Sequence, residues 1–327
     1  MGAPAFKPAW WLRSPHLQTL WPSLVRGRFG VRPELRRERV ELDDGDFLDL
    51  DWHASSPSSP TDRPIVLIVH GLEGSSRSPY AWGMLQATVA AGFDAVIMHF
   101  RGCSGEPNRA ERTYHSGETT DLARIVTILS QRAPAVAAIG FSLGGNVLLK
   151  WLGETGRANP LVCAVAISVP YRLERCGERL EHGFSRFYQW WLMRSLRNSV
   201  LRKWQSRECN HFELSEVPQT RTFREFDDTV TAPLHGFENA DDYYSRSSSR
   251  SYVPSIERPT LLLQAVDDPF MYPDVIPHRE EIPPQVTLEV SPAGGHVGFV
   301  TGTVPWRCEY WAESRATQFI NAHLDAG

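Results

Sequence analysis

"AVAAIGFSLGGN", residues 135–146, is the stretch on which the reading of this chain turns. Its first half is a short apolar run of strand length, and it leads into "NVLLKWLGE", whose apolar spacing is helical. Between them stands Gly140-Phe141-Ser142-Leu143-Gly144, a G-x-S-x-G pattern. A bare match is common, but one set between a strand and a helix meets the physical demand of a nucleophile elbow. That demand is a sharp turn holding Ser142 in a strained backbone conformation with its Oγ exposed. Gly140 and Gly144, two before and two after the serine, must be small so that strand and helix do not collide. Ser142 is therefore a candidate nucleophile.

Moving outward, "PIVLIVHG" (64–71), "FDAVIMHF" (93–100), "VCAVAISVP" (162–170) and "PTLLLQAV" (259–266) are runs of the same kind. Such runs suit strands buried on both faces of a parallel sheet. Helix-length segments at roughly 79–91, 118–132 and 143–154 lie between them, which implies right-handed βαβ crossovers and a doubly wound α/β sheet. Upstream, "FLDLDWH" alternates apolar and acidic residues and is expected to be an antiparallel strand with one wet face. The short "SSPSSPTD" reads as a surface loop.

The alternation stops between about 171 and 255, where aromatics and arginines abound and no apolar run of strand length occurs. Residues 171–255 are expected to be a helical insertion capping the carboxyl ends of the strands, where ligands sit in α/β folds. Its aromatics serve either helix packing or an apolar acyl pocket, with packing the more common use. The expected organisation is one domain over 1–327, with residues 1–36 an extension packed on its body.

An elbow serine is inert without a base. "SPAGGHVGF" sets His296 after Gly294 and Gly295, beyond the apolar run "VTLEV", on a loop free to bring an imidazole to the nucleophile. "QAVDDPF" (264–270) places Asp267 and Asp268 between serine and histidine in chain order. Neighbouring side chains on an extended segment point in opposite directions, so the pair is poorly built to chelate one ion, and no H-E-x-x-H spacing supports a metal site. A triad of Ser142, one of the two aspartates and His296 is the better reading, and no cofactor is expected. Cys103 in "MHFRGCSGEPN" has no evident base and reads as a structural thiol, with Arg101 and Ser104 bracing the nearby loops.

Composition removes other classes. A formal charge of −4 without a basic face argues against a nucleic-acid partner. The five cysteines are odd in number and lack CxxC spacing, which fits a reducing compartment. "MGAPAFKPAWWLRSP" lacks a signal-peptide stretch, Phe6 stands where a myristoylation signal wants Ser or Thr, and no segment approaches the roughly 18 apolar residues of a spanning helix. A soluble cytoplasmic protein is expected. Trp10, Trp11, Leu12, Leu17, Leu20, Trp21 and Leu24 could dip into a membrane interface. Pro15 and Pro22 interrupt a continuous helix there, so packing on the body is the favoured reading.

The order Ser142, Asp267/Asp268, His296 resembles that of the α/β-hydrolase superfamily rather than the chymotrypsin or subtilisin orders. "SPHLQTLWP" (14–22), "HGLEGSS" (70–76), "HFRGCSGEPNR" (99–109), "YHSGETTDL" (114–122), "DDPF" (267–270) and "GGHVGF" (294–299) look like its YheT-like branch, AB hydrolase family 4, a group of esterases with lipase and acyltransferase relatives. The resemblance implies an α/β-hydrolase fold with antiparallel early strands, and a catalytic aspartate directly before the proline, Asp268. It also implies an oxyanion hole from the Leu72 and Leu143 amides, while His70, which precedes the serine in the chain, is expected to be a structural hydrogen-bonder and not the base. The expected activity is hydrolysis of short- or medium-chain carboxylic esters through an acyl-enzyme, on a small-molecule ester that includes lipids among its candidates. An acyltransferase with an alcohol acceptor, or a binding protein on the same scaffold, are the alternatives left open.

Overall fold

Strands rich in Val, Ile, Leu and Ala, without polar alternation, are stable only where both faces are covered. The computed structural model, which describes residues 5–55, 61–205 and 207–324, covers them. Its strands are β1 (Leu35–Glu41), β2 (Phe47–His53), β3 (Ile65–Val69), β4 (Asp94–Met98), β5 (Val136–Phe141), β6 (Cys163–Ile167), β7 (Thr260–Ala265) and β8 (Val286–Ser291). They form an eight-stranded sheet of order β1-β2-β4-β3-β5-β6-β7-β8. The β1–β2 and β2–β4 pairs are antiparallel, and every pair from β4 onward is parallel. A short hairpin of β9 (Val300–Thr301) and β10 (Glu309–Tyr310) stands apart.

The principal helices are α1 (Pro15–Trp21), α2 (Pro79–Ala90), α3 (Thr120–Ser130), α4 (Leu143–Thr155), α5 (Leu173–Leu180), α6 (Ser185–Trp204), α7 (Ala240–Ser247) and α8 (Trp311–Leu324). The sheet separates two apolar layers. Leu122 and Ile125 of α3 and Leu148 of α4 pack with Leu67 and Ala138 on one face. Met84 of α2 and Ile320 of α8 pack with Ile68 and Ile139 on the other. Each fully buried Leu or Ile contributes about 1.5–3 kcal/mol from leaving water.

Two expectations need correction. Strand β2 has no wet face, because it is an interior strand of the sheet and its acids are neutralised rather than solvated. Asp49 and Asp51 are buried, Arg39 and Arg37 each donate two hydrogen bonds to one of them, and His99 Nε2 lies 2.7 Å from Asp51. Nor does Pro22 break the N-terminal helix. Pro15 occupies its first turn, where no amide is needed, and a wide π-type turn over Pro22–Arg26 carries the helical path on to Gly27–Phe29. The segment lies on the body: Phe6, Ala9, Leu12 and Gln18 are buried. Most of "SSPSSPTD" falls at 56–60, outside the described residues.

Between β6 and β7 the chain leaves the sheet through α5, α6 and α7, with no strand among the described residues of 171–255. Met193, Val200, Trp204, Val217 and Phe226 give this segment a small apolar cluster of its own. Polar ties fasten it to the body. Lys203 donates to Asn108 Oδ1 and to the Ala110 and Arg112 carbonyls, and Ser185 donates to the Pro269 carbonyl. From the body side, buried Asn146 of α4 donates to the Ser116 and Ser247 carbonyls and accepts from the Ser249 amide.

Candidate active site

Strand β5 ends at Phe141 and α4 begins at Leu143, so one residue makes the turn. Ser142 makes it with φ 50° and ψ −119°, a left-handed conformation that an L-residue holds only under constraint. The constraint is steric. A Cβ on Gly140 would lie 2.6 Å from the Gly144 carbonyl oxygen, and one on Gly144 would lie 2.4 Å from the His70 carbonyl oxygen. Both glycines are thus required by backbone contacts.

His296 Nε2 lies 3.0 Å from Ser142 Oγ, and its Nδ1 lies 2.8 Å from Asp268 Oδ2. Asp268 is buried, and its other oxygen accepts from the Phe270 amide. The Phe270 ring lies flat on the imidazole, with centroids 4.0 Å apart and planes 4° apart, which fixes the ring plane. Asp267 is turned elsewhere and accepts from the Gly295 amide. Burial, with a smaller contribution from the charge of Asp268, holds the Asp267 carboxyl above the usual range, against the pull of the Gly295 amide. The two aspartates therefore serve different partners, as the alternation of an extended segment requires.

The histidine loop is held one amide at a time. Gly295 donates to Asp267, His296 to Thr19 Oγ1 and Val297 to Ser168 Oγ, at 2.9, 2.9 and 3.0 Å. Gln18, fully buried, accepts from the Val300 amide and donates to the Val300 carbonyl. Thr19, Gln18, Ser168 and Phe270 were not among the residues expected at the site. The motif "SPHLQTLWP" contains the first two, yet nothing local in it shows that it will lie against a loop nearly 280 positions away. Ser168 carried a detectable signal, since it directly follows β6 at the carboxyl end of the sheet.

The loop after β3 faces Ser142. The Gly71 amide donates to Tyr80 Oη and the Glu73 amide to Tyr114 Oη, while among the described residues no acceptor pairs with the Leu72 amide between them. Leu143 supplies the first amide of α4, where the helix dipole favours negative charge. His70 lies beneath, fully buried. Its Nδ1 is 2.7 Å from the Gly71 carbonyl, its Nε2 accepts from the Phe100 amide, and burial lowers its pKa to about 3. Both ring nitrogens of this neutral histidine are thus engaged in holding the loop.

Arg101 is buried and pairs with Asp121 and Asp46, and the Ser104 carbonyl accepts from Arg37. Cys103 lines the cavity, but burial pushes its thiol well above the ordinary range, away from a reactive thiolate. All five cysteines are free.

Above Ser142 lies a cavity of about 550 Å³. Its floor includes Leu72, Ser142, Leu143 and His296, and its roof Leu180, Tyr188, Trp191 and Phe226 of the inserted segment. A largely apolar chamber with a serine, a histidine and the Leu72 and Leu143 backbone at its floor has the geometry that acyl transfer from an apolar ester requires.

Comparison with known proteins places the chain in a family. The family model for the alpha/beta hydrolase fold matches residues 64–303. "Putative esterase YheT" of Escherichia coli (strain K12) is 43% identical over 315 residues, covering 95% of this chain and 91% of that protein. "Phospholipase ABHD3" of Mus musculus is 32% identical over 94% of this chain and 79% of its own length. Among solved structures, the Pyrococcus furiosus esterase Pf2001 superposes with a TM-score of 0.57 at 18% identity, covering 99% of both chains, a likeness of fold. Among the described residues no helix is long and apolar enough to cross a membrane.

Proposed function

The chain belongs to the α/β-hydrolase fold family, in its YheT-like esterase branch, and we propose that it hydrolyses carboxylic esters through an acyl-enzyme on Ser142. Ester hydrolysis on this scaffold is its activity; the residues and the acyl preference are the finer reading. The observation that carries it is the unbroken hydrogen-bond line Ser142 Oγ–His296–Asp268 at the floor of an apolar cavity.

In this reading His296 Nε2 takes the proton of Ser142 Oγ as the oxygen attacks the ester carbonyl. Asp268 holds the Nδ1 proton and steadies the imidazolium, and the Leu72 and Leu143 amides bind the oxyanion. The alcohol leaves with the proton from Nε2. Water, activated by the same nitrogen, then releases the acid. Residues 171–255 act as the cap that keeps the chamber apolar, and short- to medium-chain acyl groups, including those of lipids, are the substrates the cavity suits.

Ser142→Ala is the decisive variant. It should abolish esterase turnover and fluorophosphonate labelling while circular dichroism stays unchanged; retained turnover would sink the proposal. A p-nitrophenyl ester series from acetate to palmitate then reads the acyl preference, and activity that keeps rising to palmitate would overturn the short- to medium-chain reading.

A further inference from the structure

Helix α6 contains no aspartate or glutamate and five basic residues, Arg186, Arg194, Arg197, Arg202 and Lys203. One face, with Tyr188, Gln189, Met193 and Trp204, is buried in the fold. Phe187, Trp190, Trp191 and Arg194 recur at the i, i+3, i+4, i+7 spacing of the opposite face, which meets solvent. Phe184 just before the helix, and Leu17 and Leu24 of the N-terminal segment, are exposed as well. These six apolar side chains are each 45–63% exposed, far more than isolated packing residues need to be.

They are not scattered. Leu24, Phe187 and Trp191 line the cavity above Ser142, and Phe184 touches His16 of α1 with ring centroids 4.6 Å apart. The patch is therefore the rim of the cavity mouth, built jointly by α6 and the N-terminal segment. Arg186 and Arg194 are exposed on the same helix and, among the described residues, form no ion pair. Exposed tryptophans beside unpaired arginines on an acid-free helix are the composition of a segment that lies in a bilayer interface.

We propose that this rim docks on an anionic lipid surface, aromatics entering the headgroup boundary and arginines pairing with lipid phosphates, so that the cavity mouth opens toward the membrane. A second copy of the chain fits less well, because two acid-free, cationic faces would repel each other. The N-terminal segment takes part from its outer side only, since its inner side is packed on the body as described above.

The test uses full-length protein carrying Ser142→Ala, so that vesicle lipid is not consumed and binding is read separately from catalysis. It should co-sediment with phosphatidylcholine vesicles containing about 30% phosphatidylglycerol, and much less with pure phosphatidylcholine or at high salt. Adding Arg186→Glu, Trp190→Ser and Arg194→Glu, none of which lines the cavity, should lower the bound fraction about tenfold or more. The same three changes with Ser142 intact should leave hydrolysis of a soluble p-nitrophenyl ester unchanged. Three results would overturn the proposal: no vesicle binding by the parent, equal binding by the variant, or an equal loss from Trp306→Ser, an exposed tryptophan outside the rim. A parent dimer that the variant turns monomeric without altering vesicle binding would assign the face to self-association instead.

Discussion

The carboxyl end of the sheet and the inserted segment above it meet across one cavity, yet they are built on different physics. At the sheet end, position comes from backbone: β5, β6 and β7 are in parallel register, and the residues that follow them, Ser142, Ser168 and Asp268, stand where the ladder stops. In the insertion, position comes from side chains, through a small apolar cluster and a handful of polar ties. Ladders tolerate little displacement, and side-chain ties allow more. Chemistry belongs on the first kind of support and access on the second.

The largest effect should come from the sheet end. Asp268→Asn is expected to lower kcat about 10⁴-fold through the wrong imidazole tautomer, while Asp267→Ala, which removes the bond to the Gly295 amide, should cost about 1 kcal/mol of stability. Steady-state kinetics beside urea unfolding separates the two, and reversed outcomes would exchange the roles of the neighbours. Next, Gly144→Ala forces a methyl into the His70 carbonyl, so the chain should lose about 3 kcal/mol or fail to accumulate in soluble form. Wild-type stability in that variant would show that the elbow is looser than its contacts imply.

A smaller effect tests the joint between regions. Thr19→Val strips the acceptor from the His296 amide and should reduce kcat about 10- to 100-fold with KM little changed. A rise in KM alone would assign Thr19 to the mouth instead of to the histidine. Smallest is a change confined to the insertion. Burial raises the Asp227 carboxyl to about 7, where it accepts from Thr231 and Tyr244. The folded chain therefore holds a proton that the unfolded chain releases near the ordinary aspartate value of 3.8, and the stability this lends fades as pH rises toward 7. Asp227→Asn should gain on the wild type by at least about 2 °C in Tm between about pH 5 and about pH 8. A difference independent of pH would mean that Asp227 is ionised throughout.

The same contrast explains what could be read from sequence. The doubly buried strands announce themselves as apolar runs, and the elbow by its glycines, because each is a local consequence of backbone geometry. The acids of "FLDLDWH" misled, since alternation reports polarity and cannot report that Arg37 and Arg39 on a neighbouring strand will neutralise it. Within the insertion, aromatic content was visible, but the division into buried Tyr188 and Trp204 and exposed Trp190 and Trp191 depends on which face of α6 the body covers. Thr19 and Gln18 escaped notice because their partners are defined only by the finished fold.

That last contact sets a schedule. Thr19 precedes Ser142 in the chain and His296 follows it, and the amide of His296 reaches the hydroxyl of Thr19 across 277 positions. A growing chain contains the strand and turn that present Ser142 well before its histidine is added, and this contact can close only after residue 296 has been made. A chain cut short before residue 296 would therefore carry Ser142 with no histidine beside it.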